Sequence, residues 1–183
     1  PHLLKDILEP YSWKSVLICT SSLAVFGGVL ILLLVPNGPF RKAATKIDLR
    51  ICFTVFQQQQ FKKVAFGYFG HMWELYAFWA FVPVLLRIYS DIHTNTTFNI
   101  PLLAFLIIGI GSLSCVFGGY ISEKISSKKV AFYSLLFSGI CCLLFPFLVM
   151  QTSETVFIIF LIFWGMVVIS DSPQFSTLVA QNT

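Results

Sequence analysis

Long uninterrupted stretches of apolar residues recur along this chain, separated by short polar segments. A helix needs roughly 20 apolar residues to cross a hydrocarbon core about 30 Å thick. Four stretches meet that length, namely residues 15–35, 64–86, 101–121 and 130–150. A fifth begins at residue 156, stays uncharged to Ser170, and reaches the required length only if it continues through Asp171 to about residue 180. The pattern predicts an all-α, polytopic transmembrane helix bundle.

The composition agrees with a membrane protein. Hydrophobic residues make up 57% of the 183 residues and charged residues 11%, which is too little polar surface to coat a soluble globule. The five cysteines have no metal-ligand spacing with the three dispersed histidines, so we expect no metal, no cofactor and no enzyme site. The net charge of +4 needs no nucleic acid, because basic loops beside anionic lipid are expected.

The lysines and arginines predict the orientation and the domain boundaries. Nine of the 12 lie in residues 37–63 and 123–129, whereas the loops of residues 88–100 and 151–155 carry none. The positive-inside rule therefore makes the first two segments cytoplasmic in a multi-pass cell-membrane protein. We expect an outward lead-in and first span over residues 1–36, a central cytoplasmic loop over 37–63, and a bundle of four spans over 64–183.

The ends of the chain resemble cut ends. Pro1 replaces an initiating methionine, no signal peptide precedes the first span, and the chain stops within or just after a span. We therefore expect this sequence to be a piece of a longer protein.

The second span has two faces. A step of 100° per residue places a small and ionisable stripe opposite an aromatic stripe. The first stripe consists of Gly67, Gly70, His71 and Glu74, and the second of Phe66, Phe69, Trp73, Tyr76 and Ala80. We expect the first to line the bundle interior and the second to meet lipid, because charged groups at mid-membrane usually face a cavity or a partner.

Glu74 is the first candidate for chemistry within the membrane. It lies roughly 15 Å along the helix from residue 64, near the midplane, where a carboxyl group could exchange a proton at accessible pH. His71, one turn away, can donate a hydrogen bond to Glu74 or share its proton. The alternative is a purely structural pair that holds two helices together.

Asp171 and Gln174 are the second candidates, in a polar run that also contains Ser170, Ser172, Pro173 and Ser176. Proline frees a carbonyl one turn earlier, and a broken helix is tolerated where it borders protein or a water-filled cavity. We therefore predict a binding surface for substrate or protons. The alternative is that Asp171 merely ends the fifth helix at the cytoplasmic face.

Small residues recur at helical spacing in the third span and predict close helix packing at a sliding interface. They are Gly111, Cys115, Gly118, Gly119 and Ser122. The turn that follows resembles the signature of the major facilitator superfamily, Gly-x-x-x-Asp-Arg-x-Gly-Arg-Arg. Gly119, Glu123, Lys124 and Lys128 match it in type, whereas Ser126 and Ser127 replace glycine and arginine.

The degraded signature resembles the copy between helices eight and nine of that superfamily. Ser12 and Trp13 before the first span, and the exit through residues 35–39, resemble its sixth helix, so the chain would cover helices six to ten. The resemblance implies a twelve-helix secondary transporter with two pseudo-symmetric halves, a central site for a small solute, and alternating access.

By the same resemblance, Gly119, Glu123, Lys124 and Lys128 would set the conformational equilibrium through charge contacts between helix ends. His71, Glu74, Asp171 and Gln174 would face the central cavity from helices seven and ten. The alternative function is a channel or a non-transporting structural subunit, because polar residues within the membrane also line pores. The signature turn favours the transporter, since it has a role in alternating access and none in a pore.

Overall fold

The computed structural model describes residues 13–36 and 54–182, and these residues are helical without any strand. The helices are α1 (Trp13–Leu34), α2 (Gln59–Ile92), α3 (Ile100–Ile125), α4 (Ser127–Gln151), α5 (Glu154–Ser170) and α6 (Ser172–Gln181). Five spans have the length and apolar composition to cross a membrane, with α5 and α6 together forming the last. The predicted all-α transmembrane bundle is confirmed.

Helix α2 is longer than its apolar stretch. It begins at Gln59 rather than at residue 64, so Lys62 and Lys63 lie on the helix and not in a loop. Its 34 residues extend about 51 Å at 1.5 Å per residue, which exceeds the hydrocarbon core. The predicted central loop therefore ends earlier than residue 63, and its part from residue 37 to residue 53 lies outside the described residues.

The buried apolar core of the bundle lies mainly between α2, α3 and α5. Tyr89 of α2 is almost fully buried, stacks on Phe157 with ring centroids 4.3 Å apart, and donates a hydrogen bond of 2.8 Å to the carbonyl oxygen of Thr152. A tyrosine hydroxyl inside an apolar core needs such a partner. This contact ties the end of α2 to the short connection between α4 and α5.

Helix α1 contrasts with the others, because none of its residues is buried. A helix that is apolar on all sides and has no packed face is stable when lipid surrounds it.

Helices α3 and α5 approach closely along three of the predicted small residues. A Cβ atom on Gly111 would lie 3.0 Å from the carbonyl oxygen of Gly165, and one on Gly118 would lie 2.6 Å from that of Ser170. Between them, the thiol of Cys115 donates to the carbonyl oxygen of Ile169 at 3.4 Å. Gly119 differs from the expectation, since it faces open space and does not contact α5.

Replacing Gly118 with alanine should therefore destabilise the bundle. The new methyl group would meet the backbone oxygen of Ser170, which cannot move like a flexible side chain, and overpacking of this kind costs about 1–3 kcal/mol. Gly119→Ala is the matched control in the same helix, and we expect it to be neutral or slightly stabilising. Thermal unfolding in detergent measures both, and an equal effect of the two changes would contradict the observed packing.

Candidate functional site

The two faces of α2 lie as the sequence predicts. His71 has no exposed surface, whereas the aromatic stripe is open to the surroundings, with Trp73 81% exposed. Gly67 is in contact with α6, because a Cβ atom there would lie 3.0 Å from the ring of Phe175. Gly70 is the exception on the small stripe and is exposed.

His71 pairs with Asp171 and not with Glu74. Its Nδ1 lies 3.1 Å from Oδ1 of Asp171, and its Nε2 lies 2.9 Å from the hydroxyl oxygen of Ser172. Asp171 is as deeply buried as His71, with 1% of its surface exposed. Only Nε2 has a hydrogen-bond partner, because the approach of Nδ1 to Oδ1 lies within ion-pair distance but lacks the geometry of a hydrogen bond. No hydrogen bond joins His71 to Glu74 among the described residues, which differs from the expectation that His71 donates to Glu74 or shares its proton. Periodicity placed both residues on one face, but the partner comes from another helix.

The last membrane-spanning helix is interrupted at Asp171. Helix α5 ends at Ser170, and α6 begins at Ser172 with Pro173 in its first turn, where a missing N–H is tolerated. Asp171 has φ −92° and ψ −7°, and its N–H donates to the carbonyl oxygen of Ile169. Asp171 thus ends the regular part of the fifth helix, and α6 continues to Gln181, so the helix is broken at this residue.

Two side chains of α6 complete the surroundings of this pair. The ring of Phe175 stacks on His71 with centroids 5.4 Å apart and closes one side of the imidazole. Gln174 is buried, and its Nε2 has no hydrogen-bond partner within the described ranges. A buried amide donor without a partner is costly, so it is available to an acceptor group that enters the bundle.

Glu74 lies in a separate polar contact one turn further along α2. It is half-buried and accepts a hydrogen bond from the hydroxyl of Ser138 on α4. The indole Nε1 of Trp164 on α5 donates to the same hydroxyl oxygen at 3.0 Å. Because an indole N–H can only donate, the proton of Ser138 is left to point at Glu74. Glu74 forms no ion pair with any residue in the described part of the chain.

Sequence reasoning did not find Ser138. A serine within an apolar span adds little to the hydropathy pattern, but Ser134, Ser138 and Cys141 share the buried face of α4. That spacing of four and three residues is the signal that could have indicated an inward polar stripe.

The signature turn is very short. Helix α3 ends at Ile125 and α4 begins at Ser127, so the connection is Ser126 alone, with φ 101° and ψ 144°. This backbone conformation is almost restricted to glycine, which is the residue that the superfamily signature has at this position. Serine therefore retains the glycine-like turn here instead of relaxing it.

The charged residues of that turn are solvent-facing. Glu123, Lys124 and Lys128 are exposed and form no ion pair within residues 13–36 and 54–182. Lys124 instead lies over the ring of Tyr120, with Nζ 4.5 Å from the centroid. The implied charge contacts between helix ends are absent from the described part of this conformation.

The spans, the broken polar helix and the one-residue signature turn together define a membrane transport protein built from helices. The family model described as "Major Facilitator Superfamily" matches residues 7–183. The chain belongs to the major facilitator superfamily, whose members are transporters. Neither the curated proteins nor the solved structures contain a match.

Removing the imidazole of His71 should destabilise the bundle strongly. His71→Leu leaves the carboxyl group of Asp171 buried without its partner, and breaking a buried pair in this way costs about 3–5 kcal/mol. The free energy of unfolding in detergent measures the loss, with Asp91→Asn at an exposed position as the control. The double variant His71→Leu with Asp171→Asn should recover part of the loss, because the orphaned charge is gone. A double variant that loses the sum of the two single losses would show that the residues do not interact.

Replacing Ser126 with glycine should stabilise the protein by about 1 kcal/mol. The substitution removes the steric cost of a side chain at φ 101°, which is of order 1–3 kcal/mol, and this exceeds the entropic cost of a glycine. Ser127→Gly, one residue later in the first turn of α4, should be destabilising instead. A lower melting temperature for Ser126→Gly than for the native protein would contradict the observed turn.

Proposed function

We propose that this protein is a secondary active transporter that moves a small solute by alternating access and couples that movement to protons. Glu74 is the proposed proton site. One observation carries the proposal: a carboxyl group within a membrane span is held by the hydroxyl of Ser138 but forms no ion pair in the described part of the chain.

The physical argument rests on the cost of a charge in the membrane. A carboxylate at mid-membrane costs at least about 2.5–3.5 kcal/mol on insertion scales when no cation compensates it. Asp171 lies within ion-pair distance of the imidazole of His71, whereas Glu74 has only the neutral hydroxyl of Ser138 as a hydrogen-bond donor in the described residues. A proton bound to Glu74 removes the charge, and water that reaches the site from one side of the membrane favours its release.

The solute site in this proposal lies beside the break at Asp171. Gln174 offers an unpaired buried donor, and neither carboxylate oxygen of Asp171 has a hydrogen-bond partner in the described residues. His71 anchors this region to α2 through the short distance to Asp171. A solute with both an acceptor and a donor group fits these two unsatisfied side chains.

The moving parts in this proposal are the interface between α3 and α5 and the signature turn. Gly111 and Gly118 let the backbone of α5 approach α3 closely, with the side chain of Ile169 packed onto Gly111, and an interface of such small residues can slide. Gly119, Glu123, Lys124 and Lys128 would then set the equilibrium between conformations through contacts that form when the helix ends move. The protein would lie in a bacterial inner membrane, with residues 37–63 and 123–129 in the cytoplasm.

The test is solute uptake by the full-length protein in proteoliposomes with an imposed pH gradient. We expect Glu74→Gln to reduce accumulation of a transported solute to passive equilibration, while solute exchange without a gradient persists. The amide keeps the size of the side chain and the hydrogen bond from Ser138 but cannot release a proton. A panel of small solutes is first screened with the native protein.

Glu154→Gln is the matched control, because it removes an exposed carboxyl group at the start of α5. It should leave accumulation unchanged. Normal accumulation by Glu74→Gln would make Glu74 structural and move the proton site to Asp171 or leave transport uncoupled. Flux through the native protein that never exceeds equilibration and does not saturate would favour a channel, and no flux for any solute would favour a structural subunit.

A further inference from the structure

A groove of about 280 Å³ lies between α3, α4 and α5, away from the polar groups around Asp171 and Glu74. Its α3 wall runs from Ser114 through Phe117 and Ile121 to Ile125. Its α4 wall begins at Val130, on the other side of the one-residue turn at Ser126. The groove therefore ends at the signature turn.

The residues that line the groove are mostly apolar and leave almost no polar group free. The hydroxyls at its floor are satisfied within the protein: Ser170 donates to the carbonyl oxygen of Val167 at 3.0 Å, and Ser134 lies 2.6 Å from the hydroxyl of Ser170. Ser114 donates to the carbonyl oxygen of Gly111 in its own helix. A polar solute would find nothing to bind here, whereas an alkyl chain would lose no hydrogen bond.

The groove also has the length and the opening that an alkyl chain needs. From Ser114 to Ile125 the helix rises about 16 Å at 1.5 Å per residue, close to half of a hydrocarbon core about 30 Å thick. The side chains at its rim, such as Phe117 and Tyr133, are about half exposed or more, so the groove opens sideways from the bundle. It thus matches one leaflet in depth and faces the lipid.

Positive charge lies at the end of the groove where a headgroup would be. Lys124, Lys128 and Lys129 are exposed and form no ion pair within the described part of the chain. Glu123 in the same turn reduces the local charge but leaves it positive. Because the positive-inside rule places this turn in the cytoplasm, the charge faces the leaflet that is rich in anionic lipid.

We propose that this groove binds one anionic phospholipid of the cytoplasmic leaflet, with an acyl chain between α3, α4 and α5 and the phosphate beside Lys128 and Lys129. The site is independent of the proposed solute and proton sites. Lipid bound there would bridge α5 to the α3–α4 turn, across the interface between α3 and α5.

The experiment measures lipid binding to the full-length protein in detergent by native mass spectrometry, with phosphatidylglycerol and phosphatidylcholine as probes. We expect phosphatidylglycerol to stay bound and phosphatidylcholine to be lost. Lys128→Gln with Lys129→Gln should weaken phosphatidylglycerol binding about 25-fold, since each lysine near an anionic surface contributes about a factor of five. Lys62→Gln with Lys63→Gln is the matched control, which removes the same charge from exposed positions on α2 away from the groove.

Two further arms identify the source of the phosphate and the role of the groove. Glycerol 3-phosphate, which carries the headgroup chemistry without chains, should not compete with phosphatidylglycerol. Val167→Phe, which fills the groove, should weaken binding without lowering the melting temperature of the lipid-free protein by more than a few degrees. Equal weakening by the two lysine pairs, competition by glycerol 3-phosphate, or the absence of any retained phosphatidylglycerol would each overturn the proposal. The last result would mean that another part of the protein covers the groove.

Discussion

The buried contact between His71 and Asp171 is the interaction on which the rest of the arrangement depends. It joins the middle of α2 to the break between α5 and α6, at a depth where an unpaired acid is costly. Without His71 the break would leave the carboxyl group of Asp171 inside the bundle with no ion-pair partner in the described part of the chain. Ser172 and Phe175 also contact the imidazole of His71, so contacts with α2 hold the first turn of α6 in position.

A second constraint comes from the opposite side of α5. Its contact with α3 is made at Gly111, which faces the carbonyl oxygen of Gly165 and the side chain of Ile169, and at Gly118, which faces the carbonyl oxygen of Ser170. Cys115 adds a weak hydrogen bond to the same surface. Helix α5 therefore has one face with polar side-chain contacts and another that packs closely against small residues.

Much of this arrangement could be predicted from the sequence, for reasons that particular residues show. Hydropathy predicts the five spans, because the membrane requires every backbone group to be satisfied within its helix. The helical period separates His71 from Trp73, and the proline at residue 173 next to Asp171 marks the broken helix. These are local properties of one helix, and each was visible without knowledge of its neighbours.

The parts that could not be predicted depend on contacts between helices. Periodicity predicts the face of α2 on which His71 lies but not the residue of another helix that it contacts. Its contact with Asp171 instead of Glu74 could therefore not be predicted. Ser138 has too little hydropathy signal to identify it as the partner of Glu74. The start of α2 at Gln59 precedes the apolar stretch, because glutamine and lysine are good helix formers that hydropathy does not count.

The single residue between α3 and α4 has a mechanical consequence. A connection made of Ser126 alone has no slack, so an axial displacement of one helix at this end is transmitted directly to the other. Both helices contact Ser170 of α5, α3 through Gly118 and α4 through Ser134. A displacement of the Ser126 end of α3 and α4 would therefore reach Ser170, one residue before the break between α5 and α6.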